Sequence, residues 1–453
     1  MKKRSILKGI AIGLACTVAL GSALYTYNVE AMKPQPTDKA KNVILLIGDG
    51  MGPTQVSAAA YLKGRGYGDG KLAMNRFKHV GLVTTYSHDN VVTDSAAAAT
   101  AFSSGRKTDN NVVGKAPKNK KHVDGEKHFD VTTVLDDAKK AQKATGLVTT
   151  TRLTHATPAA FAAHAEHRNM ENEIAEQVLN KNVDVLLGGG KDHFLPTEEG
   201  GKRKDGKNLI SKAQQKGYSL IEDKNGLERT HSPKLLGLFN NSHMKYELDR
   251  STSKEPSLAE MTKKALQTVS KNKNGFFLMV EGGRIDHAGH ANYPATTIQE
   301  TLAFDQAVQE ALHFAQKNPD TLVVVSADHE TGGMSIGLNG EYAFHKDVIR
   351  KVKRSSEYIG EQLTKDRSNV KEVMAKYAGI SDLTVDEEKR IQTERNPASA
   401  IAEVISHRAK IGWTTTGHTA VHVPVYAYGP GADKLTGTID NTDIAKVISK
   451  AIK

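Results

Sequence analysis

Acidic and imidazole side chains gather at three places where short apolar runs end. Val43 to Ile47 leads into Gly48-Asp49-Gly50, and Leu322 to Ser326 leads into Ala327-Asp328-His329-Glu330. Phe276 to Val280 leads into Glu281-Gly282-Gly283-Arg284-Ile285-Asp286-His287-Ala288-Gly289-His290. A further ligand-type side chain, His418, stands in Thr416-Gly417-His418-Thr419, just before the run Val423 to Tyr428. Carboxylate oxygen and imidazole nitrogen are the donors that zinc-like divalent ions take, and a catalytic zinc keeps one position open for water or substrate. Asp286, His290 and His418 make one such set; Asp49, Asp328 and His329 make a second; Asp49 can bridge to a harder ion with Glu281. Singly, an Asp after a strand is usually a cap and a lone His usually a satisfied surface or core residue. Glycine-flanked acids and histidines at three strand ends are not explained by caps alone.

A hydroxyl is available to work with such ions. In Thr93-Asp94-Ser95-Ala96-Ala97-Ala98-Ala99-Thr100-Ala101-Phe102 the alanine run is a strong helix former, Asp94 can cap it and Gly105 can end it. Ser95 then sits in the first turn, where free N–H groups and the positive end of the dipole favour an anion. A capped alanine helix is the ordinary reading. Facing a bound zinc, however, the Ser95 hydroxyl would be ionised and would attack phosphorus without a histidine base. A third cluster runs Thr154-His155-Ala156-Thr157-Pro158 and on to His164-Ala165-Glu166-His167-Arg168. Thr157 is read as an N-cap with Pro158 at the first helical position. Arg168, about three turns further on, can clamp two phosphate oxygens.

The elements that must position these groups are short β-branched runs alternating with helix-compatible segments. Gly146 to Thr150 and Val183 to Leu187 join the four runs above, with amphipathic stretches at Asn169 to Asn180, Ser257 to Ser270 and Thr296 to Gln316. This alternation predicts an α/β fold with a central, mostly parallel sheet flanked by helices on both faces. Ligand sites in such sheets lie outside the carboxyl ends of the strands, which brings the acids and histidines to one edge. Residues 191–250, polar and Gly/Lys-rich, and residues 337–412, strongly charged and helical in character, read as insertions on a single domain spanning 32–453.

Composition agrees with a folded chain: 453 residues, 38% hydrophobic and 25% charged, with one cysteine. Lys2, Lys3, Arg4 and Lys8 precede an apolar run from Ile10 to Leu24, and Val29-Glu30-Ala31 offers small residues for cleavage. Residues 1–31 therefore read as a secretory signal peptide, with an uncleaved membrane anchor as the rival. Cys16 falls inside that run, so the mature chain carries no disulfide. The leader holds four basic residues and one acidic, so its removal lowers the formal charge from +11 to +8. That excess suits electrostatic association with a polyanionic cell envelope. Its basic residues are interleaved with acids, which argues against specific nucleic-acid binding. Gly64-Arg65-Gly66-Tyr67-Gly68-Asp69-Gly70 and Gly105-Arg106-Lys107-Thr108 lack the context and spacing of nucleotide-binding loops and read as surface turns.

Taken together the motifs resemble the alkaline phosphatases, a family of metal-dependent phosphomonoesterases. Gly48-Asp49-Gly50-Met51-Gly52, Asp94-Ser95-Ala96, His155-Ala156-Thr157-Pro158, Glu281-Gly282 with Asp286 and His290, Asp328-His329-Glu330-Thr331 and Gly417-His418-Thr419 follow the family's order. The resemblance runs from about Asn42 to Gly429, parts of the two insertions excepted. It implies two Zn²⁺, one on Asp286, His290 and His418 and one on Asp49, Asp328 and His329. It also implies one Mg²⁺ shared by Asp49, Thr157 and Glu281, with Ser95 as a nucleophile that becomes phosphoserine and Arg168 gripping the phosphoryl oxygens. His155 and His287 stand where the enterobacterial branch carries Asp and Lys, which opens the third site to Zn²⁺ or Co²⁺. Broad hydrolysis of small phosphate monoesters for phosphate scavenging, a homodimer, and secretion of the Gram-positive type complete what the resemblance implies.

Three alternatives differ in specific residues. A sulfatase needs Pro and Arg downstream of its nucleophile, and Ser95-Ala96-Ala97-Ala98-Ala99 has neither. A phosphodiesterase would have no use for the Arg168 clamp. A surface protein that merely scavenges phosphate or metal would have no use for a serine poised between two ions.

Overall fold

The computed structural model describes residues 38–66, 68–118 and 127–453. The leader read at residues 1–31, with Cys16, lies outside these. Three apolar runs become strands buried along their whole length: β1 (Asn42–Ile47), β7 (Phe276–Glu281) and β8 (Thr321–Ser326). Burial on both faces explains why they read as continuous hydrophobic runs and not as alternating ones. Each fully buried Val, Leu or Ile there adds roughly 1.5–3 kcal/mol of transfer free energy.

The remaining strands of the main sheet are β2 (His79–Thr84), β3 (Ala144–Arg152), β4 (Val185–Gly189), β5 (Ser219–Ile221), β6 (Leu235–Leu238), β9 (Val423–Tyr428) and β10 (Gly437–Asp440). All ten join in the order β10-β2-β9-β8-β1-β7-β3-β4-β6-β5. Every neighbouring pair is parallel except the two that involve β9, which runs opposite to β8 and to β2. Helices cover both faces. Leu258–Val269 and Pro294–Lys317 pack on each other in one layer, and Ser95–Ser104 packs with Ala156–Ala162 and Asn441–Ile452 in another. Lys39–Lys453 form one compact unit. Among the described residues no helix is long and apolar enough to cross a membrane.

Several local expectations change. Residues 191–250 supply β5 and β6, which extend the sheet; these strands are only three and four residues long and hide between Lys- and Gly-rich loops. β2 escapes a reading based on apolar runs because its residues alternate between buried and exposed. Val423 to Tyr428 is not the final strand, since β10 follows it. His155, not Thr157, is the N-cap of Ala156–Ala162, and Pro158 lies inside its first turn. That helix stops at Ala162, so Arg168 sits in the following loop, where its N–H donates to the Asn111 carbonyl at 2.8 Å.

Candidate active site

Parallel strands deliver their carboxyl ends to one edge, and β1, β7 and β8 bring Asp49, Glu281 and the Asp328-His329 pair there. His418 precedes a strand, yet reaches the same edge because β9 is reversed. A two-residue ladder fixes it further: Thr331 pairs with His418 and Glu330 with Thr419. The helix Arg284–His290 begins three residues after β7 and carries Asp286 and His290 on one face, four residues apart. Gly50, at φ +75°, lets this helix close in; a Cβ there would lie 2.7 Å from the Asp286 Cα.

Ser95 opens the helix Ser95–Ser104, which Asp94 caps by accepting from the Ala97 N–H at 2.9 Å and Gly105 ends at φ +71°. Its side chain is buried, and Oγ lies 3.1 Å from His329 Nε2. The same Nε2 is 3.3 Å from Asp328 Oδ2 and 3.5 Å from Asp49 Oδ1. The hydroxyl thus lies beside carboxylate and imidazole groups of the kind that bind divalent ions.

Hydrogen bonds select which ring nitrogens carry lone pairs. Thr331 donates its hydroxyl proton to Asp286 Oδ1 at 2.6 Å, so it accepts from His329 Nδ1–H at 3.2 Å and leaves His329 Nε2 bare. His290 Nδ1–H donates to the Thr416 carbonyl at 2.6 Å and His418 Nδ1–H to the Thr93 carbonyl at 2.8 Å. The Nε2 atoms of these two rings stand 3.1 Å apart, and both point at Asp286 Oδ1, 3.3 and 3.5 Å away. Two facing lone pairs repel unless a cation or a proton lies between them. Burial pulls His290 down, but the Asp286 carboxylate outweighs it and holds the group at about 9. Asp286 is likewise pushed up by burial, and hydrogen bonds from His290 and His418 reverse this and hold it well below its usual range.

The other acids are short of partners. Both oxygens of Asp49, Glu281 Oε1, Asp328 Oδ2, Thr157 Oγ1 and His155 Nδ1 are buried with no hydrogen-bond partner among the described residues. Burial pushes the Asp49 and Glu281 carboxyls up, and burial beside Asp286 pushes Asp328 up to about 7. A buried carboxylate with no donors is costly unless a cation compensates it. Three sets of ligand atoms fall within 4.8 Å of one another: Asp286/His329/His418, Asp49/Asp328/His329 and Asp49/His155/Glu281. His329 therefore reaches both of the first two sets, His290 adjoins the first through Asp286 and His418, and His155 joins the third alongside Thr157. Donors and orphaned oxygens alike fit divalent ions.

Arg168 lies against Ser95's own neighbour. One terminal nitrogen donates to Asp94 Oδ2 at 2.9 Å and the other to His155 Nε2 at 2.9 Å. His155 in turn packs edge-on against His243 and His287, with ring centroids 5.5 and 5.6 Å away. Burial lowers all three imidazoles, His287 to about 3, so they accept from arginines as neutral rings; His287 Nδ1, for example, accepts from Arg284 at 2.8 Å.

The alkaline phosphatase family model matches residues 40–453. The chain belongs to the alkaline phosphatase family. It is similar to alkaline phosphatase 4 of Bacillus subtilis (strain 168), at 38% identity over 97% of this chain and 95% of that one. Alkaline phosphatase 3 of the same organism is 40% identical, over 92% of this chain and 90% of that one. Among solved structures, the Thermus thermophilus alkaline phosphatase superposes with a TM-score of 0.81 at 33% identity, covering 93% of each chain. The chemistry is that of this family, metal-dependent hydrolysis of phosphate monoesters.

Sequence reasoning did not reach the residues that hold the reactive ones. Thr149 and Thr151 both donate to Glu281 Oε2, the latter at 3.1 Å. Thr331 orients His329 and Asp286, Asp94 grips Arg168, and His243 arrives from the loop after β6. The run Thr149-Thr150-Thr151 at the end of a strand was the available signal, because alternate residues there face the same side.

Proposed function

We propose that Ser95 is the nucleophile and passes through a phosphoserine. The observation that carries this reading is its Oγ, 3.1 Å from a bare imidazole nitrogen, next to a carboxylate whose two oxygens have no donor among the described residues. Asp286, His290 and His418 would hold one Zn²⁺, Asp49, Asp328 and His329 a second, and Asp49, Thr157 and Glu281 a Mg²⁺. His155 beside that third set favours Zn²⁺ or Co²⁺ as alternatives. When bound, these ions supply charge neutralisation at the attacking and leaving oxygens and lower the pKa of a nearby hydroxyl.

The protein's own groups do the rest. The helix amides behind Ser95 favour negative charge on its oxygen. Arg168, held by Asp94 and His155, presents its planar fork to two phosphoryl oxygens. Ser95 attacks phosphorus in line as the alcohol leaves; water then displaces Ser95 from the opposite side, so two inversions give net retention. The Arg168 clamp suits a monoester, with one more free oxygen than a diester, and so disfavours the phosphodiesterase alternative.

In the cell, residues 1–31 would direct export of the remaining single catalytic domain, of the Gram-positive secreted type. Broad monoester hydrolysis there would release phosphate for uptake. The formal +8 would favour association with an anionic envelope, and a homodimer is in keeping with the family. The test is Ser95→Ala in ion-loaded protein. We expect kcat/KM to fall by about 10³-fold or more, and acid quenching to trap phosphate on Ser95 in the wild type alone. Wild-type turnover by Ser95→Ala refutes the assignment, and metal analysis of the purified protein checks the three ions.

A further inference from the structure

Residues 337–412, which the sequence sets apart as a charged helical segment, build a crevice against the ion-binding edge. It has a volume of about 360 Å³, and His290 forms part of its wall. That volume lies within the range of small-molecule sites. Of the three groups in the first ion set, His290 is the open one: its side chain is 40% exposed, against 5% for Asp286 and 13% for His418. His290 thus stands between this set and the crevice, which offers a place for the carbon substituent of a substrate oxygen that meets the set.

The walls beyond His290 are mixed: Asn292, Glu403, His407 and Thr416 bring polar groups, and Trp413 brings one broad apolar face. Trp413, Leu338 and Ile411 line them, with Ser399 and Ser406 from the helix Pro397–Ala409 opposite. The indole is fixed at both ends. Trp413 Nε1 donates to Ser406 Oγ at 3.1 Å, and the six-membered ring lies on Gly332. Gly332 has φ +93°, and a Cβ there would come within 2.7 Å of the ring. Because Gly332 directly follows Thr331, which bonds both Asp286 and His329, the indole is held in register with the ion ligands. At the rim stands Glu403, whose carboxylate pairs with Arg390 at 2.9 Å.

We propose that this crevice is a subsite for the alcohol portion of the substrate and favours monoesters of aromatic or bulky apolar alcohols. The inference rests on placing the leaving oxygen at the Asp286, His290 and His418 set. An aromatic group there stacks on a pre-ordered indole and displaces water from the partly exposed Leu338.

The experiment compares 2-phenylethyl phosphate with ethyl phosphate. Both release primary alcohols of similar basicity, so their ratio of kcat/KM reports recognition and not leaving-group chemistry. We expect wild type to favour the phenylethyl ester by about tenfold. Trp413→Ala removes the wall, and Ser399→Phe fills the crevice from an exposed position that leaves the indole and its bond to Ser406 intact. In each the ratio falls toward one through KM, while competitive inhibition by inorganic phosphate, which has no alcohol portion, keeps its constant. A wild-type ratio near one, or an unchanged ratio in the folded variants, overturns the subsite. Wild-type protein that turns over neither ester and is not inhibited by phosphate would instead overturn the ion-site reading beneath it.

Discussion

Asp49 and Glu330 are both buried carboxylates at the same edge of the sheet, and they are opposites in what surrounds them. Glu330 accepts from the Gln55 amide at 2.7 Å, from the Gly333 and Met334 N–H groups at 3.1 and 3.2 Å, and from the Thr419 hydroxyl. Asp49 accepts from nothing among the described residues. One charge is neutralised by the dipoles of its own fold and acts as a strut joining the chain after β8 to the chain before β9. The other receives no such compensation from the described residues. Glu300 falls between them. It is buried on Pro294–Lys317, accepts one hydrogen bond from the Glu247 N–H at 2.5 Å, and burial pushes it up to about 8. The donors supplied by the fold, and not burial alone, distinguish Glu330 from Asp49.

The largest effect should come from the acid without donors. Asp49→Ala removes a group common to two ion sets, and we expect kcat/KM to fall by about 10³-fold or more with loss of bound ion, measured by metal analysis alongside the assay. Retained ion content and activity would break the contrast. Glu300 sharpens it through pH. Its folded pKa lies above the usual 4.5, so the folded state binds the extra proton, and the associated stability is full below about pH 4.5 and lost as pH rises through about 8. Glu300→Gln keeps the acceptor and cannot ionise. It should match wild type near pH 4 and exceed it above pH 8 by an amount on the order of a few kcal/mol, read from denaturant melts across pH. Parallel pH profiles would show that Glu300 does not titrate in the folded protein. Smallest should be Glu330→Gln, which turns one acceptor into a donor among donors. It should cost about 1–3 kcal/mol of stability while ion content at saturation stays at the wild-type level.

The acids at the strand ends were legible because three parallel strands running to a common edge carry their terminal residues with them. Ser95 was legible through its cap and its glycine stop, both local signals. Arg168 was legible as a residue but not in its setting, since its partners Asp94 and His155 are joined to it by tertiary packing and the helix expected to carry it ends at Ala162. The short strands β5 and β6 carry too few residues for periodicity to register, and β2 takes its place only because β9 lies beside it. His243 had no signal of its own; it matters through two rings that come from other parts of the chain.

The reversal of β9 has a consequence for assembly. β9 lies between β8 and β2, so β2 has no sheet neighbour on that side until the C-terminal part of the chain has emerged and threaded into the gap. The same insertion carries His418 to its ion set. The pairing of β9 with β8 and β2 is thus also what sets His418 beside Asp286, so one strand serves both the sheet and the edge where these side chains meet.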